Sequence, residues 1–311
     1  MTATSLVIDA DGLTKHYGRK VGCEEVCLRV RRGHIFGFLG PNGAGKSTFV
    51  KMMVGLIAPT SGRAEVLGRP LGDLGARTGI GFLPEVFRYQ DWLTASELLR
   101  LHGRLAGMES GAIAESSKRV LNLVGLKSQD SGKIRSFSKG MTQRLGLACA
   151  LLADPDLVIL DEPTSALDPL GRYEVREILL SARERGVTVF LNSHLLTEVE
   201  SVCDEVAVID HGRVIESGPL SALLSGPCEV EITLAEPFAG AALRLRPLEA
   251  SVLVDEPLRL VAGLPDESRI PGLVERLVSE GARVTGVVRR RRTLEALFLD
   301  AVKEAQNARR E

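Results

Sequence analysis

The 311-residue sequence contains no window approaching the roughly 18 to 20 apolar residues that a bilayer-spanning helix requires, so any passage through a membrane must come from another chain. Its N-terminus lacks a basic segment followed by an apolar one, and Asp9 and Asp11 arrive early, so no secretory signal is expected. A basic excess is missing as well: 39 Lys and Arg against 40 Asp and Glu leave a net charge of -1. That balance argues against nucleic acid as the principal partner. Cysteine pairs at C-x-x-C spacing are also absent. The five cysteines, at positions 23, 27, 149, 203 and 228, are scattered and odd in number, and they read as reduced thiols in cytosol. With 44% hydrophobic and 25% charged residues, the composition is that of an ordinary soluble protein able to bury a core in two domains.

What is present begins with GPNGAGKST, the run Gly40, Pro41, Asn42, Gly43, Ala44, Gly45, Lys46, Ser47, Thr48, which follows the apolar stretch Ile35 to Leu39. It fits the phosphate-loop pattern G-x-x-x-x-G-K-[ST] in its strand-to-helix setting. Glycines let consecutive backbone N–H groups turn toward phosphate oxygens where side chains would block the approach. Lys46 supplies a point charge for the β and γ phosphates, and Ser47 opens a helix whose dipole favours the anion and whose hydroxyl suits magnesium. A second run, LVILDEP from Leu157 to Pro163, reads as a buried parallel strand presenting Asp161 and Glu162 at its C-terminal edge, where ligands bind in open α/β sheets. Asp161 suits magnesium, and Glu162 is placed to polarise an attacking water. Between the two lies Phe137 to Pro155, in which Ser138 caps a helix; Ser138, Lys139 and Gly140 make its N-terminus rich in anion donors.

In this order the motifs resemble those of the ATP-binding subunit of ABC transporters, over about residues 5 to 225. Phe137-Ser138-Lys139-Gly140-Met141 stands where Leu-Ser-Gly-Gly-Gln is usual, a departure similar to bacterial type-2 exporters. The resemblance implies an α/β fold of the P-loop ABC nucleotide-binding type with a helical subdomain, and an ATPase using ATP and Mg2+. By the same resemblance Tyr17 matches the aromatic that stacks on adenine, Asp168 the loop after the paired carboxylates, and His194 the histidine that contacts the γ phosphate. Glu85 falls where the family usually has glutamine, the residue that links magnesium to the membrane partner. Taken alone, Tyr17 is more often a surface ring, His194 a capping or core histidine, and Asp168 a helix cap before Pro169. The family encloses each ATP between the phosphate loop of one subunit and the signature of another. One copy of each motif here therefore implies a homodimer acting with a separate membrane permease, at the cytoplasmic face of the membrane. The competing reading, a soluble ABC ATPase working on nucleic acid or the ribosome, usually needs paired cassettes or a long coiled coil; this chain has neither a second phosphate loop nor sustained heptads.

Residues 1–225 read as the ATPase domain, with a helical subdomain over about 93–137 that Thr94 and Glu97 open as a capping box. From Leu157 to Ile209 strands alternate with helices, the pattern of a parallel sheet. The pattern breaks near Ser225-Gly226-Pro227, and residues 226–311 read as a small α+β accessory domain: strands at Cys228 to Leu234, Leu258 to Val261 and Val284 to Val288, helices at Pro271 to Glu280 and Thr293 to Ala305. The basic run Arg289 to Arg292 reads as a solvated turn, with a membrane-surface or regulatory contact as the alternative.

Overall fold

The computed structural model describes residues 5–165, 167–225, 228–238, 251–290 and 292–309. They fall into two compact units, one within 1–220 and 298–311, the other within 221–297. The elements in chain order are β1 (Leu6–Tyr17), β2 (Lys20–Arg31), β3 (Ile35–Leu39), α1 (Lys46–Met53), β4 (Ser61–Val66), β5 (Arg69–Pro70), α2 (Leu74–Arg77) and β6 (Ile80–Leu83). There follow α3 (Ala95–Leu105), α4 (Ser110–Leu123), α5 (Lys139–Leu151), β7 (Leu157–Asp161), α6 (Pro169–Glu184), β8 (Thr188–Asn192), α7 (Leu196–Val202), β9 (Glu205–Asp210), β10 (Arg213–Pro219) and α8 (Leu220–Leu223). The last are β11 (Cys228–Leu234), β12 (Ser251–Glu256), β13 (Arg259–Leu264), α9 (Ile270–Ser279), β14 (Val284–Arg290) and α10 (Leu294–Ala308).

The first unit is built on a six-stranded sheet in the order β10-β9-β3-β8-β7-β6. All neighbours from β9 to β6 run parallel, and β10 closes the edge antiparallel to β9. Every residue of β3, β7 and β8 is buried, which explains why these strands read as continuous apolar runs without alternation: both faces are covered, one of them by α1 and a second sheet. A second sheet, β2-β1-β4-β5, is antiparallel. The core is stiffened by an aromatic cluster beneath α1. Phe38 lies 5.0 Å from Phe49 and 5.5 Å from Phe190 between ring centroids, and Phe36 stacks on Phe190 at 5.7 Å. Such pairs add about 0.5–1.5 kcal/mol each beyond their buried area.

The insert between β6 and β7 is helical. Thr94 Oγ1 accepts from Glu97 N at 3.2 Å and the Glu97 carboxylate accepts from Thr94 N at 2.8 Å, the expected reciprocal cap of α3. Ser138 caps α5 by accepting from Met141 N at 3.2 Å.

The second unit is a four-stranded antiparallel sheet, β12-β13-β11-β14, with α9 against it. On β11, Cys228, Val230, Ile232 and Leu234 are buried and join Leu273 and Leu277 of α9 in one apolar cluster. The basic run departs from the expected turn: Arg289 and Arg290 lie within β14, Arg289 paired with Glu267 and Arg290 Nε 2.6 Å from Glu231. Acidic partners account for them, Glu231 on the neighbouring strand β11 and Glu267 just before α9, while Arg291 lies outside the described residues. The strand β12 was not expected from the sequence. Its exposed, charged end at Asp255 and Glu256 hides the alternation.

Candidate functional site

Parallel packing sends the carboxyl ends of β3, β7 and β8 to one edge of the sheet. In register, Asn192 at the end of β8 stands beside Phe38 of β3 and beside Asp161 of β7. The phosphate loop leaves β3, the paired carboxylates leave β7, and His194 follows β8, so three distant stretches of sequence meet at one rim. They line a cavity of about 490 Å3, bounded by Tyr17, Lys20, Val21, Gly22, Asn42, Gly43, Gly45, Lys46, Ser47, Thr48, Glu85, Glu162, Asn192 and His194.

The loop's shape depends on glycine. Gly45 caps α1 at φ 109°, and a Cβ there would collide with the Gly22 carbonyl of β2. With no side chain capping α1, its first amides remain available to an anion at a positive helix end. Lys46 is only 7% exposed, and its ammonium donates to the carbonyls of Gly40 at 2.6 Å and Pro41 at 3.2 Å. Burial holds its pKa below the ordinary lysine value, an effect opposed by the carboxylates of Glu162, Asp161 and Glu85.

Asp161 is buried, and Asn192 Nδ2 donates to its Oδ1. Burial raises its carboxyl above the usual aspartate range, the Asn192 hydrogen bond pulls the other way, and Glu85 and Glu162 add like-charge repulsion. Glu162 is also buried, and it sits in the left-handed region at φ 54°. Its amide donates to the Asn192 carbonyl at 2.9 Å, and its Oε2 lies 2.7 Å from His194 Nδ1. The backbone twist therefore aims a carboxylate into the cavity with a histidine holding it there.

Of the residues expected from the sequence, Tyr17, Asn42, Gly43, Gly45, Lys46, Ser47, Thr48, Glu85, Glu162 and His194 come together in this cavity. Tyr17 is 46% exposed at its edge, with Lys15 Nζ 5.4 Å from its ring. Gly40, Pro41 and Ala44 shape the loop from behind. Ser138, Lys139 and Gly140 do not line it: they sit at the head of α5 on the helical insert. Asp168 is likewise elsewhere, capping α6 by accepting from Gly171 N at 2.8 Å. Sequence reasoning missed Lys20, Val21 and Gly22 on the β2 side of the cavity, and it missed Asn192, two places before His194. Its signal was an amide at the end of an apolar strand, which reads equally as a turn.

Comparison with known proteins bears on this geometry. The ABC transporter family profile matches residues 23–165. Over 212 residues the chain is 45% identical to an uncharacterized ABC transporter ATP-binding protein of Synechocystis, covering 67% of this chain and 59% of the relative, so less than two thirds of that relative is spanned. It is 34% identical over 298 residues to the uncharacterized ABC transporter ATP-binding protein YxlF of Bacillus subtilis, covering 95% of this chain and 99% of that one. The Nod factor export ATP-binding protein I of Rhizobium is 38% identical over 223 residues, covering 71% and 73%. Among solved structures, one titled as the ATP-binding subunit of an ABC transporter superposes with a TM-score of 0.64 at 31% identity, over 70% of this chain and 91% of that one. With the phosphate loop, the paired carboxylates and the histidine meeting at one sheet edge, and with one relative matching along nearly its whole length, this chain belongs to the ABC transporter family.

Proposed function

We propose that this chain is the ATP-hydrolysing subunit that powers a separate membrane permease, and that the transport is export. One observation carries the chemistry: Glu162 enters the phosphate-loop cavity in hydrogen-bond contact with His194, at 2.7 Å. In this reading the loop amides and Lys46 hold the β and γ phosphates, Tyr17 stacks on the adenine, and Glu162 polarises the water that attacks the γ phosphate. His194 orients Glu162 and contacts the γ phosphate. The work of the site is positioning and electrostatic stabilisation around a phosphoryl group.

A divalent cation fits the residues present. Asp161 is a buried hard-oxygen donor near Lys46 and Glu85, and Ser47 adds a hydroxyl. No cluster of three or more His, Cys, Asp or Glu capable of caging a metal exists among the described residues. That suits magnesium, which keeps waters and phosphate oxygens in its shell, with Ser47 and Asp161 as its protein contacts and Glu85 in its outer surroundings. When bound, it neutralises charge on the transferred phosphoryl group.

Ser138, Lys139 and Gly140, at the head of α5 and away from the cavity of their own chain, act on the nucleotide of a second copy in a head-to-tail dimer. Asp168 follows the carboxylates into that interface. Export is supported by the Rhizobium relative's name. Among the described residues no helix is long and apolar enough to cross a membrane, so attachment to the membrane face runs through the permease. The test is Glu162→Gln, which keeps size and hydrogen bonding but removes the base. ATP binding should persist, hydrolysis should slow by about 100-fold or more, and a dimer should accumulate on size-exclusion chromatography with ATP and magnesium. Normal turnover by a persistent monomer refutes the assignment.

A further inference from the structure

Asp210 ends β9, the strand next to β3, and has no part in the chemistry above, yet its residue is only 2% exposed. The turn that follows it braces the back of the phosphate loop. Gly212 N donates to the Ala44 carbonyl at 2.7 Å, and the Gly212 carbonyl accepts from Glu24 N at 2.8 Å. Packing there is tight: a Cβ on Gly45 would stand 3.3 Å from the Gly212 Cα. One residue on, Arg213 pairs with Glu24 at 3.2 Å and Glu25 at 2.8 Å, tying the turn to β2, whose Val21 and Gly22 form a wall of the cavity. The turn thus touches both the loop and the facing strand.

A buried carboxylate needs a counter-charge, and the far end of the chain supplies it. Arg309, just after α10, places Nη1 3.0 Å from Asp210 Oδ2 and donates from Nη2 to the Asp210 carbonyl at 3.4 Å. Oδ2 accepts no hydrogen bond from any described group, so Arg309 meets it as an ion pair, and His211 Nε2 is 3.9 Å from Oδ1. One guanidinium therefore holds both the side chain and the main chain of the residue that starts the turn. Removing one partner of a buried pair leaves an uncompensated charge that the structure relieves by moving. The piece that follows directly from Asp210 is the turn against Ala44.

We infer that Arg309 is a positioning residue for nucleotide binding: by neutralising Asp210 it holds the His211-Gly212 turn against Ala44, and with it the phosphate loop in the shape that receives the triphosphate. The inference rests on the assignment of the cavity as the ATP site. It places control of nucleotide affinity at a residue more than 260 positions from the loop, outside every sequence motif.

The test uses the full chain. Arg309→Ala should raise the Kd for ATP about tenfold while turnover at saturating ATP stays within about twofold. Arg309→Lys keeps the charge and should recover most of the affinity. Asp210→Asn removes the charge that Arg309 serves, so adding Arg309→Ala in that background should change Kd by less than about twofold. A folded Arg309→Ala protein with wild-type Kd overturns the inference, as does an equal loss in both backgrounds or a loss confined to turnover. If Arg309→Ala alone does not fold, the Asp210→Asn/Arg309→Ala double variant should; failure of the double variant is equally fatal. Lys46→Ala separates the two readings. Loss of ATP binding there with wild-type Kd in Arg309→Ala sinks this inference alone, whereas ATP binding retained in Lys46→Ala sinks the site assignment itself.

Discussion

Replacing Asn192 with leucine tests the electrostatics of the rim directly. Asn192 is 1% exposed, donates to Asp161 Oδ1, and leaves its own Oδ1 without a partner among the described residues. Leucine has nearly the same shape, so no cavity opens and the unpartnered Asn192 Oδ1 is removed; what is lost is one hydrogen bond to a buried carboxylate, whose Oδ1 is left without its Asn192 donor. Hydrogen bonds to charged groups contribute about 1.5–3 kcal/mol, and we take about 2 kcal/mol. For a unit of this size each kcal/mol moves Tm by roughly 2–4 °C, which gives a fall of about 4–8 °C. The loss should also depend on pH. Burial raises the folded pKa of Asp161 above its ordinary 3.8, and losing Asn192 raises it further. A group with a raised folded pKa favours the folded state at low pH and loses that contribution as pH rises through the folded value. The variant's deficit is therefore full near pH 8, where Asp161 is ionised, and shrinks as pH falls toward the raised value and the carboxyl takes up its proton. Thermal unfolding of wild type and variant at about pH 8 and about pH 5, with chelator and without nucleotide, measures the difference. An equal deficit at both pH values refutes the argument that an ionised Asp161 is what Asn192 stabilises.

Lys46→Ala removes the charge that faces the β and γ phosphates and should weaken ATP binding by about 100-fold, or roughly 2.7 kcal/mol, read by titration calorimetry. Glu85→Gln should shift ATP affinity by less than about tenfold while changing permease-stimulated turnover, because its loop leads into the helical insert; unchanged values in both assays return Glu85 to a surface role. In the second unit, Leu273→Ala deletes a fully buried side chain under β11 and β13. It should destabilise that unit by about 2–5 kcal/mol in chemical denaturation, with ATP affinity unchanged.

The first unit's parallel strands were legible because burial on both faces leaves unbroken apolar runs, and the expected stretch Ile35 to Leu39 coincides with β3. Capping chemistry was equally readable, since Thr94 with Glu97 and Asp168 with Pro169 announce helix starts through local hydrogen bonds alone. Asn192 was not, because its partner Asp161 is 31 residues away and only the β7–β8 register brings them together. Arg309 was still less so: nothing local marks a terminal arginine as the counter-ion of a buried aspartate across the fold. The basic run misled for the opposite reason. Four consecutive cations look solvated until β14 pairs with β11 and Glu231, diagonally across from Arg290, comes within 2.6 Å of it.

Glu162 holds its left-handed backbone without the freedom of glycine, a posture costing roughly 1–2 kcal/mol for a residue with a Cβ. The fold thus surrenders some of its thin margin to aim one carboxylate. Glycine or asparagine at 162 relaxes that posture, so a library selected only for heat resistance is drawn to those residues and discards hydrolysis as it hardens. Durability and turnover compete at one position, and any hardened variant of this protein should have codon 162 sequenced first.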